Sequence, residues 1–202
     1  KNKILNFTEN DFNPTLRKLC TEFTEISKME KFNFNFEITE EKFPLKCDSL
    51  HLTNVVNNLL DNAKKYCTET PTVKLTARIK QKKLYISISD DGIGIDKKEQ
   101  KKIFKKHYRV SPGDLYIVKG YGLGLSYVKK IVSLHKGSIE LESELNKGTK
   151  ITIKLPTVNW YMKTYIDKQN NKHLLVTGLP TKLKNSNLYI IDNIDQGTPL
   201  SF

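Results

Sequence analysis

Cysteine and long apolar runs are scarce in this 202-residue chain. The three cysteines, Cys20, Cys47 and Cys67, form an odd set without a CxxC pair, which argues against a disulfide framework or a zinc cluster and favours a reducing compartment. No apolar stretch approaches the ~20 residues of a bilayer span, so we expect no membrane-spanning segment here. The first residue is Lys rather than Met, and we expect the chain to be part of a longer protein.

Several catalytic motifs are also missing. There is no GxxxxGK[ST] sequence, which excludes a P-loop. The glycines at 120, 122 and 124 read GxGxG rather than GxGxxG and follow a loop instead of a strand, which excludes a dinucleotide-binding βαβ unit. The four histidines show no metal-ligand spacing, and no Ser-His-Asp order is visible.

Acidic residues are under-represented: 22 Asp and Glu face 34 Lys and Arg, giving a net charge of +12. Such an excess suits nucleic acid, an anionic membrane surface or a phosphorylated ligand. The lysines come in scattered pairs, without the interleaved aromatics of a single-strand binding groove. We therefore expect no nucleic-acid partner and assign most of the lysines to solvated helix faces.

The hydrophobic pattern predicts a single α/β domain over residues 1–157. Strands are expected at Asn2–Phe7, around Phe34, at Phe43–Cys47, in a hairpin turning at Gln81–Lys83, and around Ile139 and Ile153. Helices are expected after Pro14, after an Asp48 cap, from Lys97 to Lys106 and after Gly124. Residues 158–202 are polar, and their strand-like runs His173–Thr177 and Leu188–Ile191 predict a small hairpin appendage or a partly ordered tail.

Four elements that could perform chemistry follow one another along the chain. A helix face carries Asn58 and Asn62, an acidic glycine turn runs from Asp90 to Ile95, an aromatic and basic cluster runs from Phe104 to Arg109, and a glycine-rich helix start runs from Gly120 to Leu125. Each is weak alone, but their order and intervals are difficult to attribute to coincidence.

Residues 48–156 resemble the catalytic ATP-binding domain of bacterial sensor histidine kinases, within the GHKL group shared with gyrase, the mismatch-repair ATPase and certain heat-shock chaperones. Residues 58–66 match the N box, 90–95 the first glycine box, 103–110 the F box, 120–125 the second glycine box, and 147–149 the last glycine motif. The resemblance implies a two-layer α/β sandwich whose mixed sheet is covered on one face by helices, with an ATP lid between the F box and the second glycine box.

The resemblance also implies ATP and Mg²⁺ as ligands. The implied nucleotide site comprises Asn58, Asn62, Lys65, Tyr66, Asp90, Gly92, Gly94, Ile95, Tyr108, Arg109, Lys119, Gly120, Tyr121, Gly122, Leu123, Gly124, Leu125 and Thr149. Catalytic roles fall to Asn58, Lys65 and Arg109, and the Mg²⁺ ligands are Asn62 and Asn58.

Elementary chemistry agrees with these roles. Two asparagines four apart share a helix face, and their amide oxygens suit Mg²⁺. Lys65 brings positive charge towards the phosphates, Tyr66 is placed to stack on the base, and Asp90 is placed to accept a hydrogen bond from the adenine amino group. Gly92 and Gly94 are expected to let backbone approach the purine. Backbone N–H groups of the second glycine box suit phosphate at a helix start, with Arg109 and Lys119 beside them.

One residue type separates transfer from hydrolysis. Hydrolytic members of the group carry a water-activating Glu where this chain has Asn58, and an amide cannot act as that base. We therefore expect phosphoryl transfer to a histidine, and we keep two alternatives, a non-catalytic nucleotide-binding pseudokinase module and a GHKL-type ATPase. His107 in place of a usual Phe, and Tyr121 in place of a small or polar residue, motivate the first alternative.

Partners follow from the same resemblance. The family's acceptor-histidine motif is absent from this chain, so the acceptor is expected on a preceding dimerisation helix domain of the same or a sister chain. The next partner is the receiver domain of a response regulator. The intact protein is expected to be a homodimeric inner-membrane sensor with this domain in the cytoplasm, whereas the isolated fragment could be monomeric.

Overall fold

The structure, a computed structural model, describes residues 5–39, 42–67, 70–109, 121–158, 161–166 and 172–177. Its elements in chain order are β1 (Thr8–Asp11), α1 (Asn13–Glu30), β2 (Asn33–Ile38), β3 (Pro44–Cys47), α2 (Ser49–Lys65), β4 (Thr72–Lys80), β5 (Lys83–Asp90), α3 (Lys97–Gln100), α4 (Gly124–Leu134), β6 (Ser138–Glu144), β7 (Gly148–Pro156), β8 (Tyr161–Ile166) and β9 (Lys172–Thr177).

The main sheet has five strands in the order β2-β4-β5-β7-β6. β2 runs parallel to β4, whereas the β4–β5, β5–β7 and β6–β7 pairs are antiparallel. The tight β4–β5 turn uses positive φ at Gln81 and Lys82, as two-residue hairpins require. The sheet is therefore mixed, with β5 at its centre.

Alternation along the strands separates two faces of this sheet. Leu75, Ile86 and Ile153 are fully buried on the helix side together with Leu16 of α1 and Leu60 of α2. The opposite face carries polar groups, among them Ser87 and Thr152, whose hydroxyl oxygens lie 2.8 Å apart. The predicted two-layer α/β sandwich, with a mixed sheet covered by helices on one face, is confirmed.

Two local predictions were wrong. Of the strand predicted at Asn2–Phe7, residues 5–7 lie in the described part of the chain and are not in a strand. The backbone N–H of Asn6 donates to Asp48 Oδ2 at 2.9 Å, and strand pairing begins at Thr8. The helix predicted from Lys97 to Lys106 ends at Gln100. The chain then continues in turns, because His107 takes a φ of 59° and donates its N–H to the carbonyl oxygen of Gly122.

Beyond the main domain, β8 and β9 pair as an antiparallel hairpin. The strand expected at Leu188–Ile191 lies outside the described residues. In the part of the chain that the structure describes, no helix combines the length and apolar character needed to cross a membrane.

Candidate functional site

Helix α2 carries the two asparagines of the N box. Its core stripe, including Val55, Leu59 and Ala63, is buried, so the asparagines lie on the other side of the helix. Asn58 Nδ2 donates a hydrogen bond to the Asn54 carbonyl oxygen at 2.7 Å. This hydrogen bond fixes the orientation of the amide, with Oδ1 pointing away from the Asn54 carbonyl group. A Cβ added to Gly124 would lie 2.8 Å from Asn58 Oδ1, so the amide oxygen faces the first residue of α4.

A polar seam holds α2 and α4 together at the other end. The N–H of Asp48, the cap of α2, donates to His135 Nε2 at 3.0 Å, and His135 Nδ1 lies 2.8 Å from the Ile131 carbonyl oxygen. Between the two ends, His51 Nδ1 lies 2.7 Å from the Tyr127 hydroxyl. Contacts at both ends therefore align the two helices antiparallel, with Asn58 beside the start of α4.

Several groups set the charge state of this seam. Burial lowers the pKa of His135 below its ordinary value, although the nearby Asp48 carboxylate opposes that shift. Burial alone would raise the pKa of Asp48, but the N–H groups of His51 and Asn6 and the two nearby histidines hold it below its ordinary value. The seam is therefore arranged for a neutral His135 and an ionised Asp48.

Asp90 is the last residue of β5 and stands in register with Thr149 of β7. Its Oδ1 accepts the N–H of Gly92 at 3.0 Å and the N–H of Thr149 at 3.2 Å. Burial raises its pKa to about 6 even though these two hydrogen bonds oppose the shift. Among the described residues, Oδ2 receives no hydrogen bond, so an oriented carboxylate keeps one oxygen for an external donor.

The glycines around Asp90 hold loops against one another. A Cβ on Gly92 would collide with the Tyr66 carbonyl oxygen, and one on Gly94 with the Glu144 carbonyl oxygen. Gly148, at a φ of 95°, leaves no room for a Cβ against the Asp90 carbonyl oxygen. From the sequence, Gly92 and Gly94 were expected to allow close approach of a purine. The structure gives a reason that requires no ligand, since protein backbone already occupies that space.

Two supporting residues could not be found from the sequence motifs. Ser143 Oγ accepts the Ile95 N–H at 2.8 Å and donates to the Gly148 carbonyl oxygen at 3.0 Å. Gln100 Nε2 donates to the carbonyl oxygens of Ile95 and Ser143 at 3.0 and 2.9 Å. Neither residue belongs to a motif; one sits in an alternating strand and the other among lysines, so only their tertiary contacts show that they hold the first glycine box.

The two ends of the lid segment are in contact. The N–H of His107 donates to the Gly122 carbonyl oxygen at 3.0 Å. A Cβ on Gly122, at a φ of 66°, would lie 2.9 Å from the Tyr108 carbonyl oxygen. Because His107 makes this contact through its backbone, the departure from Phe leaves it intact. Lys119 and Gly120 lie outside the described residues.

The remaining predicted residues surround these contacts. Lys65 is exposed at the end of α2, and Tyr66, 42% exposed, accepts the Ile93 N–H at 2.9 Å through its carbonyl oxygen. Tyr108 lies under Lys102 Nζ, which is 6.0 Å from the ring centroid. Of the other predicted residues, Arg109, Tyr121 and Leu123 are exposed, whereas Leu125 packs against the core.

Asn58 and Asn62 are the candidate ligands for a divalent cation. No group of three or more His, Cys, Asp or Glu side chains in the described ranges could hold a metal ion. Asn58 Oδ1, in contrast, faces the helix start, and Asn62 is half-buried one turn further on. Mg²⁺ prefers a few protein oxygens completed by waters and phosphate oxygens, and these two amides fit that chemistry.

The fold and the loops gathered around Asp90 and the α4 start are typical of one class of protein. A family profile described as "Histidine kinase-, DNA gyrase B-, and HSP90-like ATPase" matches residues 47–159, more than half of the chain. The chain belongs to this ATPase family, as a catalytic ATP-binding domain of the sensor histidine kinase type.

Individual relatives agree with that assignment. The chain is 50% identical over 135 residues to the sensor protein RprX of Bacteroides fragilis, covering 64% of this chain and 26% of RprX. It is 35% identical over 134 residues to the sensor histidine kinase WalK of Bacillus subtilis, covering 65% and 22%. The chain thus spans about a quarter of the length of these curated relatives.

Solved structures show the same architecture. The nucleotide-free catalytic domain of the histidine kinase ThkA superposes with a TM-score of 0.65 at 28% identity, covering 77% of this chain and all of that one. ThkA in complex with the response regulator TrrA superposes with a TM-score of 0.63 at 25% identity, covering 78% and 44%.

Proposed function

We propose that this chain binds Mg-ATP and that the intact protein transfers the γ-phosphate to a histidine of a dimerisation helix domain. The phosphoryl group is then relayed to an aspartate of a response regulator. The observation that carries this proposal is Asn58, whose amide oxygen faces the α4 start. An amide at this position can hold a cation beside phosphate but cannot activate water.

The adenine end of the proposed site is Asp90. Oδ1 is held by two backbone N–H groups, which supports a fixed acceptor at Oδ2 for the exocyclic amino group. Guanine carries a carbonyl at the equivalent position, and two facing acceptors repel each other, so selectivity for ATP over GTP follows. Tyr66, at the same end, offers an exposed ring for the base.

The phosphate end lies where α2 and α4 meet. Backbone N–H groups at the α4 start, with its dipole, attract anionic oxygen, and Lys65 and Arg109 add positive charge. Asn58 and Asn62 would hold Mg²⁺, which neutralises charge on the phosphate oxygens when it is bound.

Phosphoryl transfer needs in-line positioning and charge neutralisation more than covalent help from the protein. The lone pair of a neutral acceptor imidazole forms the N–P bond while the bond from the γ-phosphorus to the bridging oxygen breaks, and ADP leaves. In our proposal this chain holds the donor, and the intact homodimer presents the acceptor on the cytoplasmic side of the membrane. The solved complex of the histidine kinase ThkA with the response regulator TrrA supports a receiver domain as the next partner.

Calorimetric titration with a non-hydrolysable ATP analogue, with and without Mg²⁺ and against GTP, tests the binding proposal. We expect adenine-selective binding strengthened by Mg²⁺. Asn62→Ala should reduce the Mg²⁺ enhancement, whereas Asn57→Ala, an exposed neighbour on the same helix, should leave it unchanged. If Mg²⁺ strengthens ATP-analogue binding equally in the parent chain and in both variants, Asn62 is not a ligand of the metal.

Transfer is tested by supplying a histidine-bearing dimerisation helix domain of a sensor histidine kinase together with labelled ATP. Acid-labile, base-stable label on that domain is expected. ATP binding without labelling would favour the pseudokinase alternative, and steady release of phosphate by this chain alone would favour the ATPase.

A further inference from the structure

Half of the chain's net charge is concentrated in one short segment. Residues 97–109 carry seven cations against one acid, Glu99, a net charge of +6 out of +12 for the whole chain. These cations, here called the basic band, are exposed; they are Lys97, Lys98, Lys101, Lys102, Lys105, Lys106 and Arg109. The fold and the nucleotide contacts proposed above account for few of them.

The charge of the basic band is largely uncompensated. Lys102 pairs with Glu99 at 3.0 Å. Some other lysines of the described chain have acidic partners, as in the pairs of Lys64 with Glu30 and Lys150 with Glu142, both at 2.7 Å. The other five lysines of the band form no ion pair with an acid in the described ranges; they are Lys97, Lys98, Lys101, Lys105 and Lys106. Their field therefore extends into solvent.

The band lies along the rim of the proposed nucleotide site. At its beginning, Gln100 Nε2 donates to the Ile95 carbonyl oxygen at 3.0 Å, in the first glycine box. At its end, His107 donates to the Gly122 carbonyl oxygen at 3.0 Å, in the second glycine box. The band thus connects the adenine end of the site with its phosphate end.

We propose that the lysines of the basic band attract the triphosphate of ATP electrostatically and accelerate its association, without contacting the bound nucleotide. The proposal rests on the ATP-binding function above. A cleft rimmed by charge of one sign raises the association rate of an oppositely charged ligand by roughly 10- to 1000-fold. An acidic protein surface would also complement the band, but its position on the nucleotide rim favours ATP.

The test compares two variants with equal loss of charge. The band variant replaces Lys97, Lys98, Lys101, Lys105 and Lys106 with Gln. The control variant replaces five exposed lysines outside the band with Gln, namely Lys42, Lys46, Lys80, Lys82 and Lys83; the last three lie at the far end of the β4–β5 hairpin from Asp90. Stopped-flow fluorescence with a ribose-labelled ATP analogue and Mg²⁺ gives the association and dissociation rate constants separately.

At low ionic strength we expect the band variant to associate about tenfold more slowly, with an unchanged dissociation rate constant and an unchanged Tm. The control variant should associate within about twofold of the parent chain. The difference should disappear near 1 M salt, where the Debye length is about 3 Å. Glu99→Gln, which removes the one negative charge of residues 97–109, should accelerate association.

Other outcomes contradict the inference in distinguishable ways. Equal slowing in both variants would assign the effect to net charge rather than to the band. An unchanged association rate constant in the band variant would show that the basic band does not attract ATP. A faster dissociation rate constant would show that the replaced lysines contact the bound nucleotide directly. Failure of the parent chain to bind the analogue would contradict the proposed function itself.

Discussion

Asp90 combines two opposing demands at the level of a single residue. In the proposed site the Asp90 carboxylate accepts a hydrogen bond from the adenine amino group, yet burial raises the pKa of Asp90 to about 6. Two backbone N–H groups hold Oδ1 in place without fully offsetting the desolvation of the charge. This is the pattern of a site where function is maintained against stability.

Asp90→Asn should therefore stabilise the fold at pH 7. Because the folded-state pKa lies above the unfolded value of 3.8, the folded protein loses stability as pH rises from about 4 to about 6, and the loss is complete above that window. Allowing for screening at this partly exposed group, we expect a rise in Tm of roughly 2–4 °C, or about 1 kcal/mol. The gain should vanish below about pH 4.

Thermal unfolding at several pH values measures this effect, and Asp91→Asn is the matched control. Burial alone would raise the pKa of Asp91, but hydrogen bonds from Thr72 and Cys67 hold it below its ordinary value, so its neutralisation should give no gain. A lower Tm for Asp90→Asn at pH 7 would show that the carboxylate is stabilising. The same variant should lose selectivity for ATP over GTP.

At the scale of elements, the antiparallel α2–α4 pair positions the proposed phosphate end. The seam contains the Asp48–His135 contact at one end and the Asn58–Gly124 contact at the other. A change at either end thus tests a different property: the Gly124 end concerns ligand binding, and the His135 end concerns stability.

Gly124→Ala should weaken ATP binding with little effect on folding. The new Cβ would lie 2.8 Å from Asn58 Oδ1, so the amide must move. We expect at least a tenfold loss of affinity, about 1.4 kcal/mol, and a change in stability within about 0.5 kcal/mol. Gly137→Ala is the contrast: its Cβ would lie 2.5 Å from the Lys154 carbonyl oxygen, so it should lower Tm but leave affinity intact. An unaltered ATP affinity in Gly124→Ala would show that Asn58 is not part of the nucleotide site.

His135 should make the fold sensitive to mild acid. Its Nε2 must remain unprotonated to accept the Asp48 N–H, and burial lowers its pKa below 6.5. As pH falls through about 6.5, the unfolded chain binds a proton that the folded protein does not, so stability decreases by up to about 1.4 kcal/mol per pH unit. Denaturant unfolding between about pH 5 and 7 measures the slope. His135→Gln should flatten it, and His107→Gln, at an exposed position, should not; equal slopes in all three proteins would contradict the assignment.

For the whole molecule, the core of the described residues extends to the last strand of the main sheet, β7. Within residues 5–158 the buried apolar side chains extend from Phe12 to Leu155. The N–H of Val158 still donates to the Pro44 carbonyl oxygen at 2.9 Å. A domain boundary near residue 157 therefore remains our proposal.

A chain ending after Val158 should unfold cooperatively, with a Tm within roughly 4 °C of the full chain, about 1 kcal/mol, and equal ATP affinity. Calorimetry on both chains makes the comparison. Loss of cooperative unfolding would place part of residues 159–202 in the core of the domain.

Much of the architecture could be predicted from local pattern. The 3.6-residue spacing of apolar positions predicted α1, α2 and α4, because a helix that buries one face must repeat at that period. Strict alternation of apolar and polar residues predicted β4, β5 and β7, because a strand that buries one face repeats every two residues. Prediction failed at residues 5–7 and beyond Gln100, where the backbone contacts distant residues: Asn6 contacts Asp48, 42 residues along the chain, and His107 contacts Gly122, 15 residues along.

The sequence by itself determined the α/β class, the order of the boxes and the amide at position 58, since these depend on residue identity and short-range spacing. Only the tertiary structure decided that Ser143 and Gln100 hold the first glycine box, that Gly92 and Gly94 accommodate protein backbone, and that the carboxyl group of Asp90 is desolvated. These properties arise from contacts between segments that are distant in the chain. Neither composition nor periodicity encodes which backbone carbonyl group will pack against Gly92 or Gly94.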